Sequence, residues 1–152
     1  MGLTIGALHV RRSAFIKAPR ERVWQEFESE ERIRAWLDLG HHLHRFEPKV
    51  GGVVRMSVEL DGVVQPFGGK VIVFDPAREL SFESQWQNEK IAWPEPTFWT
   101  LRLRTLAGGT HVELYHHGFE RFGDDAGSEL EDYEWDWDVK HLAALRAIVE
   151  GS

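Results

Sequence analysis

Glu134, His116 and His141 are the residues whose types and spacing could do chemistry together. In a stretch read as helix, Glu134 and His141 stand about two turns apart, so both project from one face with a rise of roughly 10 Å between them. Asp138 lies toward the edge of that face. His116 shares one face of a period-two stretch with Val112 and Leu114. If the helix covers that face, the three side chains could converge in one pocket. A carboxylate beside imidazoles can act as general acid and base near neutral pH. Burying Glu134 without a partner would be costly, so it must be paired or face a wet cavity. Three readings stay open, in falling weight. The first is an internal hydrogen-bonded pair fixing helix to sheet. The second is a polar patch that orients a ligand. The third is metal or acid–base chemistry.

His41, His42 and His44 form another cluster. Histidine is a common metal ligand, but this spacing matches no known metal motif and the chain has no cysteine. The segment reads as a solvated loop. His111 and His117 fall on the strand face opposite His116 and read as surface residues. No cofactor and no metal are expected. Phosphate-loop, nucleophile-elbow, CxxC and HExxH motifs are all absent from the sequence.

The chain has seven tryptophans and nine phenylalanines, more large rings than one small core requires. Trp24, Trp36, Trp86 and Trp99 could all be simple core. Some of the tryptophans are nevertheless expected to line a cavity and stack on a flat apolar ligand. Trp36, Trp86, Trp99 and Trp137, with His116, Glu134 and His141 for orientation, are the expected ligand-binding residues. Trp93 could flank the mouth.

The elements that must position these residues follow in order. Leu8 to Ile16 alternates as a strand. Pro19 can open a short helix carrying Val23, Trp24 and Phe27. Ser29 caps a second helix, whose apolar side is Ile33, Trp36 and Leu37 and whose stop is Gly40. From Val54 the period is two, with Asp61-Gly62 as a hairpin turn. Further strands lie in Gly69–Phe74, Leu80–Trp86, Trp99–Leu103 and Val112–His116. Asp124 to Glu150 reads as one helix of ~36 Å, long enough to cover a sheet. Its face of Leu130, Tyr133, Trp137, Ala144, Leu145 and Ile148 needs a wide apolar surface. The architecture implied is α+β: a bent antiparallel sheet of six or seven strands around a long final helix, with a cavity where the two diverge.

Composition narrows the function. A chain of 152 residues suits one domain, 1–152. A net charge of −7 argues against a nucleic-acid partner. No apolar run is long enough to span a membrane, and no signal peptide is visible. A cytoplasmic protein, monomer or homodimer, is the expectation.

Motifs along almost the whole chain carry a resemblance. Ile16-Lys17-Ala18-Pro19 is followed by Val23-Trp24, and Trp36 lies on the second helix. Glu47-Pro48-Lys49-Val50-Gly51-Gly52 precedes the paired strands. Gly69, Asp75-Pro76, Leu80 and Trp86 follow, then Gly109-Thr110, Leu114, His116 and Gly118-Phe119, and last Trp137, Leu142 and Leu145. In this order they resemble the START-like, helix-grip (SRPBCC) superfamily, and within it domains similar to the activator of Hsp90 ATPase homologue 1. The resemblance implies the helix-grip fold. For function it implies either a cavity for a small hydrophobic molecule, aromatic or lipid-like, or a module acting on a chaperone ATPase. The polyketide cyclase or dehydratase label used loosely for the group implies an enzyme using histidine and carboxylate. The fold alone does not choose among these.

Overall fold

A computed structural model describes residues 2–87 and 95–151. Trp93 therefore lies outside the described residues. Seven strands form one antiparallel sheet in the order β1-β7-β6-β5-β4-β3-β2. They are β1 (His9–Ile16), β2 (His42–Phe46), β3 (Val53–Leu60), β4 (Val63–Asp75), β5 (Glu79–Trp86), β6 (Thr97–Leu106) and β7 (Gly109–His117). Two short helices, α1 (Arg20–Trp24) and α2 (Glu30–Leu37), follow β1 as expected. The Ser29 hydroxyl accepts from the Arg32 amide at 3.2 Å and caps α2. Asp61 and Gly62 both take positive φ, as a tight two-residue hairpin turn requires. Among the described residues no helix is long and apolar enough to cross a membrane.

The sheet curls because β4 lets it. Gly68 sits mid-strand with φ +142°, and a Cβ there would lie 2.2 Å from the Val54 carbonyl oxygen. The register between β4 and β5 also shifts between Val71 and Val73, a bulge that bends the strand. The concave face so formed holds Ile16, Phe82, Leu101 and Leu114, packed with Trp36 and Leu145.

The C-terminal segment departs from the sequence reading. It is two helices, α3 (Ala126–Asp136) and α4 (Lys140–Glu150), not one. Trp137 is extended, with ψ 136°. Neither proline nor glycine causes the break. Arg12 of β1 does much to hold it: one guanidinium nitrogen donates to the carbonyls of Glu134, at 3.2 Å, and Trp137, at 3.0 Å. These are carbonyls that a helix end leaves without a partner. Asp138 then accepts from the Lys140 amide at 2.8 Å, as a carboxylate does at the start of a helix. The helix α4 packs tightly, with Leu142 and Leu145 fully buried. Along α3, Tyr133 and Leu130 are only half-buried, so α3 stands off the sheet.

Part of the outer sheet face is also covered. His117, expected at the surface, is only 2% exposed. It lies in a polar chain under the N-terminal segment, whose Leu3 amide donates to Glu79 at 2.9 Å.

If Gly68 sets the curl, Gly68→Ala should destabilise the protein by more than about 1 kcal/mol, because alanine at positive φ is strained. Gly127 lies in α3 with open space around it. Gly127→Ala should instead stabilise by roughly 0.5–1 kcal/mol. Urea titration of both variants checks this; equal midpoints would show that the curl does not depend on Gly68.

Candidate functional site

Where α3 leaves the sheet, a cavity of about 400 Å³ opens between them. Its floor comes from the concave face: Phe67 of β4, Trp86 of β5, Trp99 of β6 and His116 of β7. Alternation along each strand places these side chains inward. Its roof is Tyr133 and Trp137, and His41 and His141 close one end. Glu129, Asp132, Asp138 and Lys140 also line it. The last three are exposed and mark the mouth.

Of the expected ligand-binding residues, Trp86, Trp99, His116, Trp137 and His141 line this cavity. Trp36 and Glu134 do not. Trp36 is fully buried in the core and donates its indole N–H to the Glu26 carbonyl at 2.9 Å. It touches the site only through its backbone, whose carbonyl accepts from His141 Nδ1 at 3.1 Å. Glu134 faces outward and pairs with Arg12 at 3.7 Å, with its side chain 48% exposed. Reading α3 and α4 as one helix put Glu134 and His141 on one face; the break removes that relation. Burial in an apolar wall would also have been costly for the carboxylate.

His41 is the residue the sequence reading misplaced. His42 and His44 do lie exposed, though on β2, and His44 Nε2 meets the Ser57 hydroxyl at 2.6 Å. His41 instead turns into the cavity. Gly40 takes φ +78° just before it, and Asp38 holds the Leu43 amide at 3.1 Å, which sets the start of β2. The His41 ring packs 5.7 Å from Phe67, 5.6 Å from Trp99 and 5.3 Å from His141. Phe67 was also missed. Pro66 and the adjacent glycines break the period-two pattern that would have marked it.

The site histidines are held neutral. Burial pushes His116 down to about 3, and the neighbouring His117 adds to the shift. Burial, then the proximity of His141, brings His41 down to about 4. His141 is lowered by burial as well. Rings this far below neutrality are weak bases and are not proton donors at neutral pH. Burial raises the Glu129 carboxyl, with Asp132 contributing. The Lys140 amide lowers Asp138. Among the described residues no three His, Asp or Glu side chains converge as metal ligands.

Trp137 is the centre of the aromatic wall. It stacks on His116, ring centroids 5.1 Å apart and planes 26° from parallel. It meets Trp99 edge-on at 5.2 Å. Tyr133 approaches His116 edge-on at 4.5 Å. Such offset and edge contacts suit aromatic quadrupoles.

Comparison with known proteins agrees with this architecture. A model of the family described as activator of Hsp90 ATPase homolog 1-like protein matches residues 17–141. Protein MLL2253 of Mesorhizobium loti superposes with a TM-score of 0.67 at 21% identity, over 95% of this chain and 98% of that one. The Aha1 dimer of Colwellia psychrerythraea gives a TM-score of 0.58 at 17% identity, over 93% and 96%. DynU16, from the dynemicin biosynthetic locus, gives 0.66 at 19% identity, over 95% of this chain and 48% of that one. At these identities the likeness carries the fold alone. No curated protein matches the chain in sequence.

The neutral histidines predict a pH dependence. The folded pKa values of His41 and His116, about 4 and about 3, lie below the ordinary 6.5. The unfolded chain therefore binds more protons between those values, and stability is lost as pH falls through that window. Unfolding free energy should drop as pH is lowered from about 6.5 toward about 4, and the drop should shrink in His41→Asn. Denaturant titrations across pH check it; a variant that tracks the parent at every pH would mean His41 titrates normally.

Proposed function

The chain belongs to the activator of Hsp90 ATPase homolog 1-like family, and from its cavity we propose that it binds a small, flat, apolar ligand between the sheet and α3. One observation carries this reading: a cavity of about 400 Å³, open to solvent and walled by aromatic rings. That volume lies in the range of small-molecule sites. A filled interior would have argued the other way. Affinity comes from apolar burial, and the few polar atoms in the wall set orientation. The cyclase or dehydratase alternative loses Glu134, which faces solvent, and would have to use Glu129, Asp132 or Asp138 instead.

A flat apolar probe should quench tryptophan fluorescence, because Trp86, Trp99 and Trp137 all line the cavity. Calorimetry should give a negative heat-capacity change, the mark of apolar burial. An apolar library that yields neither quenching nor thermal shift would sink the reading.

A second reading has its own observation. Leu60, Val63 and Val64 are exposed at the tip of the β3–β4 hairpin. Apolar side chains grouped on a surface favour a protein contact. The family's description makes a chaperone ATPase of the Hsp90 kind the partner to test. Replacing Val63 and Val64 together with lysine should then abolish stimulation of that ATPase while probe binding is unchanged. Stimulation that survives the change excludes the hairpin tip as the contact.

A further inference from the structure

Two buried nitrogen atoms on residues that line the cavity constrain what the ligand carries. Thr97 has a single hydroxyl proton. The Ser84 carbonyl, 3.0 Å away, can only accept, so Thr97 donates to it. The 2.7 Å contact between Thr97 Oγ1 and His116 Nε2 is then made by Nε2–H donating. In a neutral imidazole this leaves Nδ1 as a bare lone pair. His116 Nδ1 is buried and has no hydrogen-bond partner. The indole Nε1–H of Trp99 is likewise buried and unpartnered, and it can only donate. The two rings lie 6.0 Å apart, centroid to centroid. The two residues are partners across β6 and β7 and both line the cavity, so an unused acceptor and an unused donor lie on adjacent residues of its lining.

We propose that the ligand is a neutral hydroxylated aromatic, of the phenol or naphthol class, whose hydroxyl donates to His116 Nδ1 and accepts from Trp99 Nε1–H. This rests on the cavity being the binding site, as argued above. A hydroxyl is the smallest group that both donates and accepts. A ketone or ether lacks the donor, and an ammonium lacks the acceptor. A carboxylate lacks the donor and would also pass Glu129, Asp132 and Asp138, which outnumber Lys140 among the lining residues. Trp137 lies against both rings, so its indole marks the slot a flat aromatic would take in its place. Trp137 sits at the break between α3 and α4 with extended backbone, where a side chain is less constrained than inside a helix.

Naphthol, its methyl ether and naphthalene test the proposal, titrated into the full chain and followed by calorimetry and tryptophan fluorescence. Naphthol should bind about 10-fold tighter than its methyl ether, which keeps the acceptor and loses the donor. The ratio should fall to near unity in His116→Phe, and the preference for naphthol over naphthalene should shrink in Trp99→Phe. Nitrogen NMR of His116 should show the proton on Nε2, with Nδ1 shifting on addition of naphthol and not of the ether. That measurement decides the matter if His116→Phe does not fold. An ether bound as tightly as naphthol, or a proton found on Nδ1, overturns the proposal and leaves the cavity reading standing. If none of the three compounds binds, the cavity reading itself fails and takes this inference with it.

Discussion

A straight helix cannot follow a curved sheet along its whole concave face; here the C-terminal segment breaks into two helices, one packed on the sheet and one diverging from it. The interaction that holds the break is Arg12 of β1, bonded to the carbonyls of Glu134 and Trp137. Those carbonyls would otherwise face a non-helical turn without partners. With the break held, α4 can bury Leu142 and Leu145 against the core while α3 diverges. The space under α3 is the cavity. Trp137 turns from the break onto His116 and Trp99 and so forms its inner wall.

The cavity is a cost to stability. Each buried polar group without a partner is unfavourable by about 1–3 kcal/mol. His41 Nε2, Trp99 Nε1 and His116 Nδ1 are three such atoms, and all three residues line the cavity. Among the described residues the fourth such atom is Arg20 Nε, which does not line the cavity; other buried side-chain polar atoms are paired. Glu26, for example, is buried and pairs with Arg22 at 2.7 Å and Arg32 at 2.9 Å. Unsatisfied atoms gathered on residues around one cavity are what a site left ready for a ligand would show.

Much of the fold was legible because local chemistry agreed with it. Pro19, Ser29 and Asp61-Gly62 mark boundaries by mechanisms that act within a few residues. The helix break was hard to read. Asp138 is a helix-start residue type, but Trp137 and Val139 carry no breaking signal, and the group that caps the break comes from β1. Glu134 was misplaced for the same reason. Trp86, Trp99 and His116 were legible from strand period, whereas Trp137 and His141 line the cavity although the single helix face they were read from is broken. Trp36 was indistinguishable from them, since an apolar ring on a helix face can point to core or cavity equally. His117 was misread because period two implies a wet outer face, whereas the N-terminal segment covers this one through Glu79.

The two faces of the sheet allow a comparison that separates structure from site. Adjacent residues His116 and His117 point to opposite faces. On the outer face the chain of bonds is closed. Ser81 donates to Glu79 at 2.8 Å, so Thr100 donates to Ser81, and His117 Nε2–H donates to Thr100 at 2.7 Å. It ends on a carboxylate that also accepts from Arg102 at 2.7 Å. Every hydroxyl proton in it is used. On the inner face the same logic runs from His116 through Thr97 to the Ser84 carbonyl. There the far nitrogen of the histidine has no partner. Both imidazoles are fixed in the same tautomer by a threonine on β6, with burial lowering both. A purely structural role asks for the closed chain, and the outer face has it. The inner chain differs in that the far nitrogen of its histidine is buried without a partner, next to a ring whose indole N–H is also buried and unpartnered. The tautomer that the inner threonine imposes is therefore best understood as preparation of His116 Nδ1 to accept a proton-bearing group from outside the protein.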